Sequence, residues 1–274
     1  MLIRFALILA AVPALSLAAW KVGAAKVNIN PTEPIWLAGY GNRDKPSDSI
    51  LQDIWVKAAA FQDDTGAISV ITTADLVGLD TKTVEIVSQR VKAKLGIPRE
   101  RLLFNYSHNH SCPVTGDVLF LYYPLMNAQQ RAAVARYTER LYDQYLEVIE
   151  KAVAALQPST LEFEQGLAGF AVNRRRARPG ARKLPGPVDH DVPVMVARDS
   201  SRAPHAILFG YSCHTTALSG QSVNGDYAGY AQAQLEQWYP GSTALFVMGC
   251  GGDANPLPRI MQSSAPDAVE LASM

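Results

Sequence analysis

Residues 67–79 read AISVITTADLVGL and residues 81–95 read TKTVEIVSQRVKAKL. This strand–helix pair sets the architecture. The first stretch is apolar and β-branched and follows the turn Asp63-Asp64-Thr65-Gly66, so it reads as a buried strand. In the second, Val84, Val87, Val91 and Leu95 recur at helical spacing, and Gly96 is a natural C-terminal cap. Working outward, a short strand spans 101–106. A long helix follows over 127–156, where Asn127 with Gln130 resembles a capping box. Its stripe is Val134, Tyr137, Leu141, Tyr145, Val148, Ala152 and Leu156, and Pro158 ends it. Beyond a loop rich in Arg, Pro and Gly over 173–187 come a strand at 205–212, a helix at 226–238 and a strand at 243–248. Strands separated by helices predict an α/β fold, with a mainly parallel or mixed sheet carrying helices on its faces.

The two ends of the chain read differently. Residues 1–18 have the form of a signal peptide: Arg4, an apolar run over 5–12, Pro13, then the small-x-small triplet Ser16-Leu17-Ala18. The run is shorter than the roughly 20 apolar residues a membrane span needs. The expectation is an exported protein, periplasmic or secreted, whose mature domain over 19–274 has no transmembrane span; a short N-terminal anchor helix is the alternative. Ser264-Ala265-Pro266-Asp267 begins a helix that stops before the length an isolated helix requires, on the order of 12 residues. That predicts a domain incomplete at its C-terminus. Lys+Arg and Asp+Glu number 25 each, so the net charge is zero. No broad positive field is available for nucleic acid. Ordinary glycine and proline usage and a 48% hydrophobic content exclude disorder.

Polar chemistry collects where strands end. Asp75 closes the first, 107–113 (SHNHSCP) follows the second, 213–216 (CHTT) the third and 249–256 (GCGGDANP) the fourth. In a parallel sheet these ends share one edge, where α/β folds place ligands. His108 and His110 alternate, and in extended chain such residues project to one side. Neutral imidazoles suit zinc, which takes three protein ligands plus water in catalytic sites, and His214 is the natural third nitrogen. The alternative is a pair of ordinary polar loop residues. His190 and His205 read as surface residues, Asp226 as a helix N-cap, and Asp75 as a turn residue or an orienting carboxylate. Asp253 follows a glycine-rich turn that either brings backbone close to a ligand or simply caps a helix. Cys112, Cys213 and Cys250 read as small buried hydrophobes. Their odd number leaves at least one thiol unpaired in an exported protein, and a thiolate ligand or nucleophile is the sharper alternative. Arg174, Arg175, Arg176, Arg178, Arg182 and Lys183 form a solvated loop or a grip on an anion.

Taken together, Leu37-Ala38-Gly39-Tyr40-Gly41, Asp75-Leu76-Val77-Gly78, Ser107-His108-Asn109-His110-Ser111, Asn173-Arg174, Cys213-His214 and Gly252-Asp253-Ala254-Asn255-Pro256 resemble the N-terminal catalytic domain of the neutral/alkaline (non-lysosomal) ceramidase family. The resemblance implies a zinc-dependent hydrolase that cleaves an amide (N-acyl) or related acyl bond of a small-molecule or lipid substrate. It implies His108 and His214 as zinc ligands, completed by a Glu and a Tyr beyond Met274. It implies His110 as a neighbouring catalytic histidine that polarises the substrate or acts as acid/base, Arg174 and Asn173 at the substrate, and Asp253 orienting a group nearby. It also places the family's serine at Gly249, followed by Cys250. Glycine cannot attack a carbonyl, so the expected nucleophile is water whose pKa the metal lowers to about 7, with Cys250 the minor alternative. Two other readings stand beside this one: a metal hydrolase acting on a non-lipid substrate, and a non-catalytic exported lipid- or anion-binding protein or inactive fragment. No stretch of sequence marks the apolar groove a ceramide-cleaving enzyme needs.

Overall fold

The structure is a computed structural model that describes residues 20–175 and 186–257. The leader, the helix start near 264, and Arg176, Arg178, Arg182 and Lys183 lie outside the described residues. In chain order the strands and α-helices are β1 Trp20–Asn28, β2 Ser49–Ile50, β3 Trp55–Gln62, β4 Ile68–Ala74, α1 Thr81–Leu95, β5 Leu102–Phe104, α2 Ala128–Ala154, β6 Gln157–Leu167, β7 Ala171–Asn173, β8 Asp191–Arg198, β9 Pro204–Tyr211, β10 Ser222–Val223, α3 Asp226–Trp238, β11 Thr243–Met248 and β12 Ala254–Pro256. Gly96 caps α1 in the left-handed conformation, and Asn127 with Gln130 closes the capping box of α2, both as the residue pattern predicts.

One sheet runs β11-β9-β8-β6-β1-β3-β4-β5, and small pairs join β10 to β2 and β12 to β7. The sheet is mixed. Only β4/β5 and β9/β11 are parallel, and each of these pairs is linked through a helix, α1 or α3. The middle of the sheet is antiparallel. A tight turn can join only antiparallel neighbours, whereas a parallel return needs a long crossover. The turn between β3 and β4 illustrates this, since the Asp63 carboxylate accepts from the N–H groups of Thr65 and Ala67 at 2.9 and 3.0 Å. Strands β1, β3, β6 and β8 carry no sequence signal of comparable strength. β3 is rich in alanine, a weak strand former, and most of β6 is exposed, so neither shows a clean apolar alternation.

Helices α1 and α2 cover one face, burying Val87, Val91, Val134, Leu141, Tyr145 and Val148 in the main core. Each of the aliphatic side chains among these is worth about 1.5–3 kcal/mol of burial. Helix α2 approaches β1 so closely that a Cβ on Gly23 would come within 2.1 Å of the Ala152 carbonyl oxygen. Helix α3 packs against β11, and the sheet curves until β11 also meets β3 and β4. There the buried Lys57 ammonium donates to Glu236 Oε1 at 2.7 Å and to the Ala244 oxygen at 2.8 Å. Glu236 also accepts from Lys26, so one α3 carboxylate ties β1 and β3 to the helix. Burial pushes the Lys57 pKa down while Glu236 draws it back up. Glu236→Ala strands that charge, and the expected loss is about 3 kcal/mol in urea unfolding. The double variant Lys57→Met, Glu236→Leu is expected to lose far less.

Candidate metal centre

The β4/β5 ladder outlasts both strands. The N–H groups of Asn105, Ser107 and Asn109 donate to the oxygens of Thr72, Ala74 and Leu76 at 2.8, 2.9 and 3.1 Å. His108 and His110 fall on the residues between and beyond these anchors. Their side chains do meet, with the two Nε2 atoms 3.4 Å apart. Extended backbone alone does not explain this, because His108 has φ +57°, in the left-handed region. A non-glycine residue there costs on the order of 1–3 kcal/mol and persists where the surroundings enforce it. The enforcement here is a hydrogen bond from His108 Nδ1–H to the Val77 oxygen at 2.9 Å.

His214 arrives from the loop after β9 and is buried. Its backbone N–H donates to the Ala254 oxygen at 3.1 Å and its Nδ1–H to the Gly251 oxygen at 2.7 Å. The turn around 249–254 therefore orients the ring twice. Thr215 Oγ1 donates to the Ser107 oxygen at 2.6 Å, stapling the two histidine loops together. Asp226 acts differently from an N-cap. Gly225 occupies that position, and Asp226 is the first residue of α3, with φ +54°. Its buried carboxylate accepts from the N–H groups of Ala217 and Leu218 at 3.0 and 2.9 Å and so braces the loop that carries His214.

His108, His110 and His214 thus come together, their ligand atoms all within 4.8 Å of one another. A carbonyl can only accept, so the Nδ1 atoms of His108 and His214 carry the protons and their Nε2 lone pairs remain for a ligand. Imidazoles oriented by backbone carbonyls are what a bound metal requires. Burial holds the His214 pKa down to about 4, with the charges of Arg174 and His108 adding to the effect and the Gly251 bond opposing it. His214 is therefore neutral at pH 7, as a ligand must be. The donor set fits a divalent metal.

The β7/β12 pair holds the remaining expected residues. Arg174 N–H donates to the Asp253 oxygen at 2.8 Å, and Arg174 Nε–H to the Gly252 oxygen at 3.1 Å. Asn173 Nδ2–H donates to Asp253 Oδ2 at 3.2 Å and to the Pro187 oxygen at 3.0 Å. Asp253 is exposed, and its carboxylate lies outside the tight histidine group. A Cβ on Gly249 would meet Ser212 Oγ at 2.4 Å, so that position has no room for a side chain as Ser212 stands. No cysteine is in a disulfide; Cys112 and Cys213 are buried and Cys250 is exposed. Burial pushes the Cys112 thiol up to about 12, which makes it inert at neutral pH. Asp75 is buried and accepts from Trp55 N–H and Gln232 Nε2–H, tying β3 to α3. His190 is exposed as expected, but His205 is half-buried against Ser159 Oγ at 2.9 Å, because β9 is an interior strand of the sheet.

The motif Leu37-Ala38-Gly39-Tyr40-Gly41 does not by itself reveal that this loop packs against His110. Gly39, at φ +89°, lies against the His110 ring, where a Cβ would come within 2.3 Å of Cγ. The Tyr40 ring meets His110 edge-on, with centroids 5.1 Å apart.

Residues 20–255 match the family described as neutral/alkaline non-lysosomal ceramidase, N-terminal. No curated protein sequence matches the chain. Among solved structures it is similar to a ceramidase complexed with C2, at TM-score 0.77 and 20% identity. It is also similar to the neutral ceramidase from Pseudomonas aeruginosa, at TM-score 0.75 and 21% identity. Both alignments cover 93% of this chain but only 42% and 43% of those chains, so it spans about two fifths of their length. At that identity the likeness is one of fold. The family match extends over most of the sequence, histidine loops included, and by it this chain belongs to the neutral/alkaline non-lysosomal ceramidase family.

Proposed function

We propose that this chain carries the zinc-binding histidines of an exported ceramidase-type hydrolase that cleaves the amide, or a related acyl bond, of a lipid. The observation behind this reading is the convergence of three imidazoles, two of them with Nδ1 tied to a carbonyl. His108 and His214 are the residues to hold the ion, which when bound supplies a Lewis acid and a water acidified to a pKa of about 7. His110, with Nε2 beside theirs, takes the proton from the attacking water and delivers it to the departing amine. Arg174, whose charge acts on His214, and Asn173 are the residues to bind polar groups of the substrate, and Asp253 holds that pair in place through its contacts with both.

A lipid finds a counterpart in the fold. An apolar cavity of about 660 Å³ lies between α3 and strands β8 and β9, walled by Leu167, Phe170, Val194, Phe209, Trp238 and Leu257. The sequence marks no such groove because its walls come from several stretches far apart in the chain, from 167–170 to Leu257. Tyr211 and Ala217, on either side of His214 in the chain, also line it. Among the described residues no helix is long and apolar enough to cross a membrane.

The test is hydrolysis of a short-chain N-acyl sphingoid lipid, followed as fatty acid released. Dialysis against a chelator is expected to abolish release, and added zinc to restore it. Full activity in the chelated protein defeats the metal-centred reading. No activity with zinc bound favours the non-catalytic binder.

A further inference from the structure

Arg43 is only 6% exposed, a costly place for a permanent cation. Its partners are all oxygens of uncharged groups. Nε–H donates to the Ala38 oxygen at 3.1 Å, one Nη1–H to the Gly220 oxygen at 2.6 Å and another to Gln221 Oε1, and Nη2–H to the His110 oxygen at 2.7 Å. These bonds join three segments: the 38–43 loop, the histidine loop at 110, and the end of the loop that begins with His214. The same loop meets the His110 ring. Tyr40 presents its edge to it, the Arg43 guanidinium lies 5.3 Å from the Tyr40 ring centre, and the Tyr40 hydroxyl donates to the Leu218 oxygen at 2.7 Å. Gly39 closes the remaining side. A planar fork reaches several segments at fixed angles, which a lysine ammonium does not.

We propose that Arg43 is a positioning residue of the metal centre: by clamping the 38–43 loop and the 218–221 loop onto the His110 main chain, it sets the His110 ring against His108 and His214. This rests on the reading of the three histidines as a metal centre. Arg43 itself touches neither ion nor substrate in that reading. It acts on the ring through the backbone and through Tyr40.

The experiment has a metal-free arm and a metal arm. Imidazole ¹⁵N–¹H spectra of the metal-free protein, assigned with His110→Ala, are recorded for wild type, Arg43→Lys and Gln221→Ala. Arg43→Lys keeps the charge and loses the fork, while Gln221→Ala removes one half-exposed anchor and leaves the buried carbonyls covered. The His110 ring signals are expected to shift or broaden, strongly in the first and weakly in the second, with His190 unmoved. In the second arm Co²⁺ is titrated in. Arg43→Lys is expected to alter the visible absorption of the bound ion, because the His110 ring beside it moves, and to weaken binding no more than His110→Ala does. A general loss of stability would lower the melting temperature without changing that spectrum in the folded protein. Folded variants with wild-type His110 signals overturn the proposal. If wild type takes up no Co²⁺, the metal reading fails, and the ring signals still decide whether Arg43 positions His110.

Discussion

Alanine at His108 or at His214 is expected to lower zinc affinity by more than a hundredfold. Loss of a group that merely orients a ligand typically costs 10–100-fold, and removal of the ligand itself exceeds that. The two variants differ in what else they disturb. His108→Ala keeps a non-glycine residue at φ +57° while removing the side-chain bond to the Val77 oxygen. His214→Ala frees the Gly251 oxygen in a buried site, at about 1–3 kcal/mol. His110→Ala is expected to reduce turnover more steeply than it reduces metal content. Competition with a chromophoric chelator, alongside circular dichroism to confirm folding, reads all three. Wild-type zinc stoichiometry in folded His214→Ala would remove that residue from the ligand set.

Gly39→Ala is expected to destabilise the protein by about 3 kcal/mol and to dislodge His110. Two costs add. A side chain at φ +89° is strained by roughly 1–2 kcal/mol, and forcing atoms into a packed site costs about 1–3 kcal/mol more. The obstacle is the imidazole itself, with Cγ at 2.3 Å and Cβ at 2.5 Å from the added carbon. Gly41→Ala is the control, because a Cβ there meets nothing within 4 Å, and a change within about 0.5 kcal/mol is expected. Urea midpoints of the two variants decide it. Equal midpoints would mean that the 38–43 loop does not grip His110.

Much of the site was legible before any coordinates. His108, His110 and His214 stand out because strand ends in an α/β sheet gather chemistry, and the structure brings all three together. What the residues do not disclose is how the histidines are held. The left-handed backbone at His108, the Gly251 carbonyl behind His214 and the Asp226 brace all depend on partners distant in sequence. Arg43 is the extreme case, reaching Gly220 across 177 residues. An isolated arginine in a loop has no periodic context that would single it out.

The helices and the two crossover units were legible in the residue pattern, because a helix is written in i, i+3 and i+4 contacts, and the caps of α1 and α2 in neighbouring residues. So were the imidazoles available for a metal. The antiparallel middle of the sheet, the burial of Lys57 against Glu236 and the apolar cavity beside α3 emerge only in the folded chain. Pairing and burial of that kind are set by surfaces meeting across the whole chain, and no local period records which surfaces will meet.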